Sequence, residues 1–241
     1  MTLRGGALRS GVPRGGQRSG RPGMRLPMRV WDLPTRVLHW LIVVLVAASY
    51  LTQRLGRMNL HLLLGYTMLT VLLFRLAWGF VGSETSRFGK FLRSPLAGLQ
   101  HLRRLHRAEP DNEVGHNAAG GWMVLALLAL LAAQVGTGLF ANSDVYFVEG
   151  PLAKHVSHRT SDLLSSVHAT LFYVLLAAIV LHVAVVGVYA FVKRQNLVRP
   201  MITGKKMLPA ATRAPRMAKL PLALAVLAAA VVLVLLLVTR A

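Results

Sequence analysis

Residues 163–192 read LLSSVHATLFYVLLAAIVLHVAVVGVYAFV. Thirty residues without an Asp, Glu, Lys or Arg are enough to cross a bilayer core of ~30 Å with tilt or overhang. Two histidines interrupt the apolar run, His168 and His182, fourteen residues apart. At ~100° and ~1.5 Å per residue they fall within about 40° of one helix face and roughly 21 Å apart along the axis. One helix therefore offers two imidazoles on one side, one towards each membrane surface.

Similar runs occupy residues 37–51, 60–81, 121–141 and 220–238. The first is short, but Asp32 is placed to cap a helix that begins ahead of it, Pro34 is tolerated in a first turn, and Trp31 and Trp40 suit the interface. The composition agrees: 54% of residues are hydrophobic, mean hydropathy is +0.52, and only 15% are charged, against ~25% in soluble domains. The expectation is an all-α integral membrane protein, with no length left for a second soluble domain.

The net charge of +20 sits beside the spans, so it points to loop retention and not to nucleic acid. Of the Lys and Arg residues, 22 fall in the N-terminal stretch to Arg36 and in loops 83–118 and 193–219, against 5 on the other side. That bias predicts a cytoplasmic N-terminus and a periplasmic C-terminus. Residues 1–28, rich in Gly, Arg, Ser and Pro, read as a disordered basic arm. They are followed by no small-residue cleavage pattern, which argues against a secretory signal. In loop 94–107, Leu96, Leu99, Leu102 and Leu105 recur every third residue between basic ones. Either a short surface helix or a solvated basic loop fits.

There is no cysteine, which excludes disulfides, Fe–S ligation and covalent c-type haem attachment. Of nine histidines, four lie in or at the edge of spans: His39, His61, His168 and His182. A lone intramembrane histidine can be a neutral helix–helix hydrogen-bonding group, but four at matched depths ask for more. With the N-terminus inside, His39 and His182 lie near the inner surface and His61 and His168 near the outer. The pairs His39–His182 and His61–His168 can each share one iron, whereas the swapped pairs differ by roughly 20 Å in depth. Two bis-histidine haem sites account for all four.

Arg75, fourteen residues after His61, shares that face at the inner level. It could meet a haem propionate or snorkel to the headgroups. Arg36, one turn before His39, is a weaker candidate for the same role. Gly65, four residues after His61, leaves room for a macrocycle or for close helix packing, and the latter is the reading for Gly136-Thr137-Gly138. His101, His106, His116, His155 and His158 are read as loop residues. His116 opens the third span at the interface, and His155 with His158 has metal-binding spacing but reads as solvated.

The stretch Val30-Trp31-Asp32-Leu33-Pro34-Thr35-Arg36-Val37-Leu38-His39-Trp40 resembles the opening of the bacterial cytochrome b561 and Ni,Fe-hydrogenase b-type cytochrome family. The segments around His61-x-x-x-Gly65-Tyr66, Phe74-Arg75-x-x-Trp78-Gly79-Phe80, Gly115-His116-Asn117 and the His168/His182 pair add to it, over about 29–206. The resemblance implies a four-helix transmembrane bundle in the bacterial inner membrane, holding two haem b groups by the same four histidines. It also implies electron transfer between the quinone pool and a redox partner. That partner could be a periplasmic hydrogenase or dehydrogenase subunit or a soluble c-type cytochrome. The chain departs from the family pattern in its N-terminal arm and in residues 207–241, a linker and fifth span that could dock a partner or simply anchor. With both axial positions filled, no catalytic residue is expected. A haem-free transporter or assembly anchor, using the histidines as a metal or proton path, is the competing class.

Overall fold

A computed structural model describes residues 24–103 and 112–240. Five helices are long and apolar enough to cross a membrane: α1 (Leu33–Arg54), α2 (Met58–Val81), α5 (Ala118–Gly138), α6 (His158–Phe191) and α8 (Leu220–Arg240). Asp32 caps α1, its Oδ1 accepting from the Thr35 amide at 2.7 Å, with Pro34 in the first turn. Asn117 caps α5 and Ser157 caps α6 in the same way. α1 packs against α2, α5 against α6, and α2 bridges the two pairs through α5. α8 lies against α2, placing Ala223 and Ala230 in the apolar core beside Leu72, Phe74 and Trp78. Most remaining apolar side chains face outward, as lipid requires.

Helices α3 (Phe88–Phe91), α4 (Pro95–Arg103) and α7 (Val198–Thr203) gather at the end of the bundle where α1 begins, the near end. The 94–107 stretch is therefore helical over its first part, while residues 104–111, including His106, lie outside the described residues.

The membrane domain is helical as expected, and two short ribbons join its loops. Strand β1 (Arg25–Arg29) pairs antiparallel with β4 (Lys205–Pro209), and at the far end β2 (Asn142–Ser143) pairs with β3 (Val148–Glu149). The arm expected over 1–28 thus includes part of a strand, and the 206/207 boundary cuts through β4; residues 1–23 lie outside the described residues. A two-stranded ribbon is marginal alone. This one is held by fully buried Val30 and Leu208 and by Trp31, packed with Val114 and Met201. Gly204, at φ +79°, ends α7 and accepts the Val30 and Trp31 amides through its carbonyl oxygen. A Cβ there would lie 2.9 Å from the Trp31 carbonyl oxygen, so a side chain is excluded on two counts.

Candidate functional site

On α6, Ser161, His168, Leu175, His182 and Tyr189 recur every seven residues. Seven residues are close to two turns, so the five make one stripe. Ser161, Leu175 and Tyr189 are buried and both histidines half-buried, while Val174, Val180 and Leu181 are exposed. Both imidazoles thus sit on the face turned to the bundle and away from lipid.

At the far level, His61 of α2 and His168 of α6 come together, ring centroids 6.2 Å apart and planes at 88°. His61 Nδ1 lies 2.9 Å from the Ser49 carbonyl oxygen, and His168 Nδ1 lies 2.8 Å from that of Gln134. A carbonyl only accepts, so in each ring Nδ1 carries the proton and Nε2 keeps its lone pair. This is how a metal-ligating histidine is oriented from behind. Two imidazoles on one metal, with nitrogen–metal bonds of ~2 Å, hold their ring centres roughly 6 Å apart. The Gln134 carboxamide nitrogen lies 3.2 Å from His168 Nε2, and its buried Oε1 has no partner. That carboxamide must turn aside for Nε2 to bind iron. A Cβ at Gly65, one turn beyond His61, meets nothing within 4 Å, so there is open space beside the pair. Gly138 is the reverse case: its Cβ would lie 2.9 Å from His168 Cε1, so the imidazole rests directly on the α5 backbone.

At the near level, His39 of α1 and His182 of α6 lie within electrostatic reach of one another. His116 joins them. Its ring packs between Trp31 and Phe91, 4.7 Å centroid to centroid in both cases. Burial, reinforced by the nearby Arg75, His182 and His39, pushes its pKa down to about 3, so the ring is neutral at physiological pH. Arg75 is 7% exposed, with its guanidinium carbon 5.3 Å from the Phe88 ring centre and Asp32 within electrostatic reach. Its side chain is enclosed among the near-end elements. Arg36 Nη1 donates to the Ile202 carbonyl oxygen in α7.

Five buried side-chain polar atoms among the described residues have no hydrogen-bonding partner: Arg36 Nε, His39 Nδ1, Arg75 Nη1, His116 Nδ1 and Gln134 Oε1. Unpaired buried polar atoms are costly and rare in folded proteins. All five belong to residues gathered at the two histidine levels. Unpaired guanidinium donors, open space beside one pair and imidazole ligands fit a ligated macrocycle with carboxylate arms.

Sequence reasoning missed His116 and Gln134. His116 read as an interfacial residue because it precedes the Asn117 cap, and nothing in one chain's pattern shows that Trp31, just after β1, and Phe91 of α3 close over it. Gln134 carried a visible signal, a single amide in an otherwise apolar span one turn before Gly138. Of the far-end loop histidines, His158 Nδ1 is bonded to Asp162 at 2.9 Å, and among the described residues no group of three or more His, Cys, Asp or Glu side chains is gathered.

The architecture defines a multi-pass helical membrane protein whose buried polar chemistry is concentrated around intramembrane histidines. The family model for prokaryotic cytochrome b561 matches residues 30–204. The chain belongs to that family, whose members bind haem b and transfer electrons within the membrane. The match ends before α8. No curated protein and no solved structure matches the chain.

Proposed function

We propose that this b-type cytochrome is a dihaem relay of the bacterial inner membrane, moving electrons between the quinone pool and a periplasmic redox protein. The partner is a hydrogenase or dehydrogenase subunit or a c-type cytochrome. The observation that carries the reading is the His61/His168 pair, with ring centres 6.2 Å apart and each Nδ1 tied to a helix carbonyl. His182, fourteen residues further along α6, and His39 are the pair that supports the second site, within electrostatic reach of one another.

In this reading His61 and His168 hold one haem and His39 and His182 the other. Bound haem iron supplies reversible one-electron chemistry. The Ser49 and Gln134 carbonyls fix the far pair's tautomers. Arg75, with Nη1 unpaired, offers a charge-assisted hydrogen bond to a propionate at the near level, and Arg36 a second through Nε. Gly65 leaves room for the ring edge. Two imidazoles for each iron would leave no position open to a small substrate, so the chain would relay electrons and not bind substrate at the metal. The lysine and arginine bias supports a cytoplasmic N-terminus and a periplasmic C-terminus.

The test is haem per chain and a reduced-minus-oxidised spectrum on protein expressed with ample haem. We expect a b-type α-band, two haems and two titrating centres. His168→Ala should remove one and leave the other, and His182→Ala should remove the opposite one. A chain with no α-band favours the haem-free transporter or anchor, and retention of both haems in His168→Ala overturns the pairing.

A further inference from the structure

Where α2 and α8 meet at the near end, the chain builds a polar pocket with no role in the histidine sites. Glu84, Arg87, Lys90, Arg213 and Arg216 line a cavity of ≈ 300 Å³. The segment leading into α8 is clasped to the turn after α2. The Glu84 amide donates to the Arg216 carbonyl oxygen at 2.9 Å, and the Arg216 amide returns a bond to Glu84 Oε2 at 3.0 Å. The Ala218 amide donates to Ser83 Oγ at 2.8 Å. Four cations thus surround one carboxylate already engaged by the backbone. Among the described residues none of the four side chains makes an ion pair. Arg87 spends only Nε, on the Gly82 carbonyl oxygen at 2.7 Å.

The chain has 28 basic residues and 8 acidic ones, so the pocket's charge is not met from within, and an anion is the complementary ligand. Its position says which anion. Phe80, in the last turn of α2, is 72% exposed and packs edge-on against Phe88. Leu220, the first residue of α8, is 57% exposed. Apolar surface thus flanks the cations on the side where both helices enter the bilayer. Basic pockets between spans at this depth suit anionic headgroups.

We propose that this pocket binds the phosphate of an anionic phospholipid whose acyl chains lie along Phe80 and Leu220, and that the lipid pins α8 to α2. The headgroup sits among Arg87, Lys90, Arg213 and Arg216. A choline or ethanolamine headgroup adds a cation to a site already carrying three net positive charges, which selects against zwitterionic lipid. Free inorganic phosphate shares the head chemistry but not the apolar flank.

The experiment uses the full haem-loaded chain in phosphatidylcholine nanodiscs titrated with phosphatidylglycerol, with bound lipid counted by native mass spectrometry. Each basic residue near an anionic surface contributes roughly fivefold in affinity. Arg213→Gln/Arg216→Gln should therefore weaken phosphatidylglycerol retention about thirtyfold, while Arg213→Lys/Arg216→Lys retains most of it. All four cationic side chains are exposed, so these variants fold, and unchanged haem content checks that. Equal loss in Arg54→Gln/Arg57→Gln, at the opposite end, would make the effect one of bulk charge and overturn the site. Displacement of the lipid by phosphatidylcholine, or by inorganic phosphate at equal concentration, would overturn the assignment to an anionic lipid.

Discussion

Gly138→Ala is the sharpest test of the far-level pair, because it adds one methyl group directly behind a single ligand. The new Cβ would lie 2.9 Å from His168 Cε1 and 3.1 Å from Nδ1. Ordinary van der Waals contact begins near 3.4 Å, so the imidazole must retreat by about 0.5 Å. Metal–ligand distances tolerate only ~0.2 Å. The ring cannot yield without loss, because its Nδ1 is fixed at 2.8 Å from the Gln134 carbonyl oxygen. Alanine meanwhile favours the helix over glycine by up to ~1 kcal/mol, so the fold itself is not weakened. Haem per chain should fall from two towards one, or the far centre should shift in potential and spectrum, with the near centre unchanged. Gly136→Ala is the control on the same helix, since its Cβ meets nothing within 4 Å, and it should keep both centres. A Gly138→Ala protein with two haems at unaltered potentials would refute the assignment of His168 as a ligand held against α5.

Asp32 does two jobs, and two substitutions separate them. Asp32→Asn keeps the cap on Thr35 but removes the negative charge that faces buried Arg75 and the acceptor 3.1 Å from Trp78 Nε1. It should cost roughly 1–3 kcal/mol in thermal or denaturant unfolding, and Asp32→Ala about 1 kcal/mol more for the lost cap. Asn behaving as wild type would mean the charge is idle. His116 makes stability pH-dependent. Its folded pKa is about 3 against ~6.5 when unfolded. Between those values only the unfolded chain takes up the proton, so this group's contribution is unfavourable and grows as pH falls from 6.5 towards 3. The melting temperature should drop over that window, and His116→Leu should flatten the drop. An unchanged slope would show that His116 is accessible to solvent.

The five spans, the Asp32 cap and the shared face of His168 and His182 were legible because each follows from local chemistry: apolar length, a capping carboxylate, and a fourteen-residue spacing. The meeting of His61 with His168 followed from helix rise and helix direction together. The near-end frame was not legible. Strand β1 has a proline in its middle and follows a Gly- and Arg-rich stretch, and its partner β4 lies some 180 residues away, joined through Gly204. Such pairing depends on which loops the bundle brings together. The burial of His116 under Trp31 and Phe91 depends on the same closure, as does the bond from Arg36 to α7.

The two histidine levels differ in how their walls are tied, and that difference fixes the order in which they fail. At the near end, polar bonds cross between elements far apart in sequence. Trp78 donates to Asp32 at 3.1 Å, Thr35 and Ser86 share a hydrogen bond of 2.7 Å, and Thr85 donates to the Val30 carbonyl oxygen at 2.7 Å. The Tyr189 hydroxyl of α6 meets both His101 and Asn117 at 2.6 Å. At the far end, bonds such as Asn142 amide to Ser165 and Ser161 to the Phe140 carbonyl oxygen stay within the α5–α6 half. Between that half and the α1–α2 turn stand chiefly ring contacts: Tyr50 stacked on Phe172 at 5.1 Å and Tyr146 against Gly56. His61 and His168 sit on opposite sides of that seam. A seam of one or two ring contacts, each ~0.5–1.5 kcal/mol, opens before a frame of several buried hydrogen bonds at ~1 kcal/mol apiece, and proteins open first where cross-ties are fewest. Heating or denaturant should therefore release the far centre first, read as loss of the spectral component that His168→Ala also lacks. Tyr50→Ala should lower that midpoint further without moving the near one. Simultaneous loss of both centres, or loss of the near centre first, would show that the ring contacts at the far seam are not the weak point of the bundle.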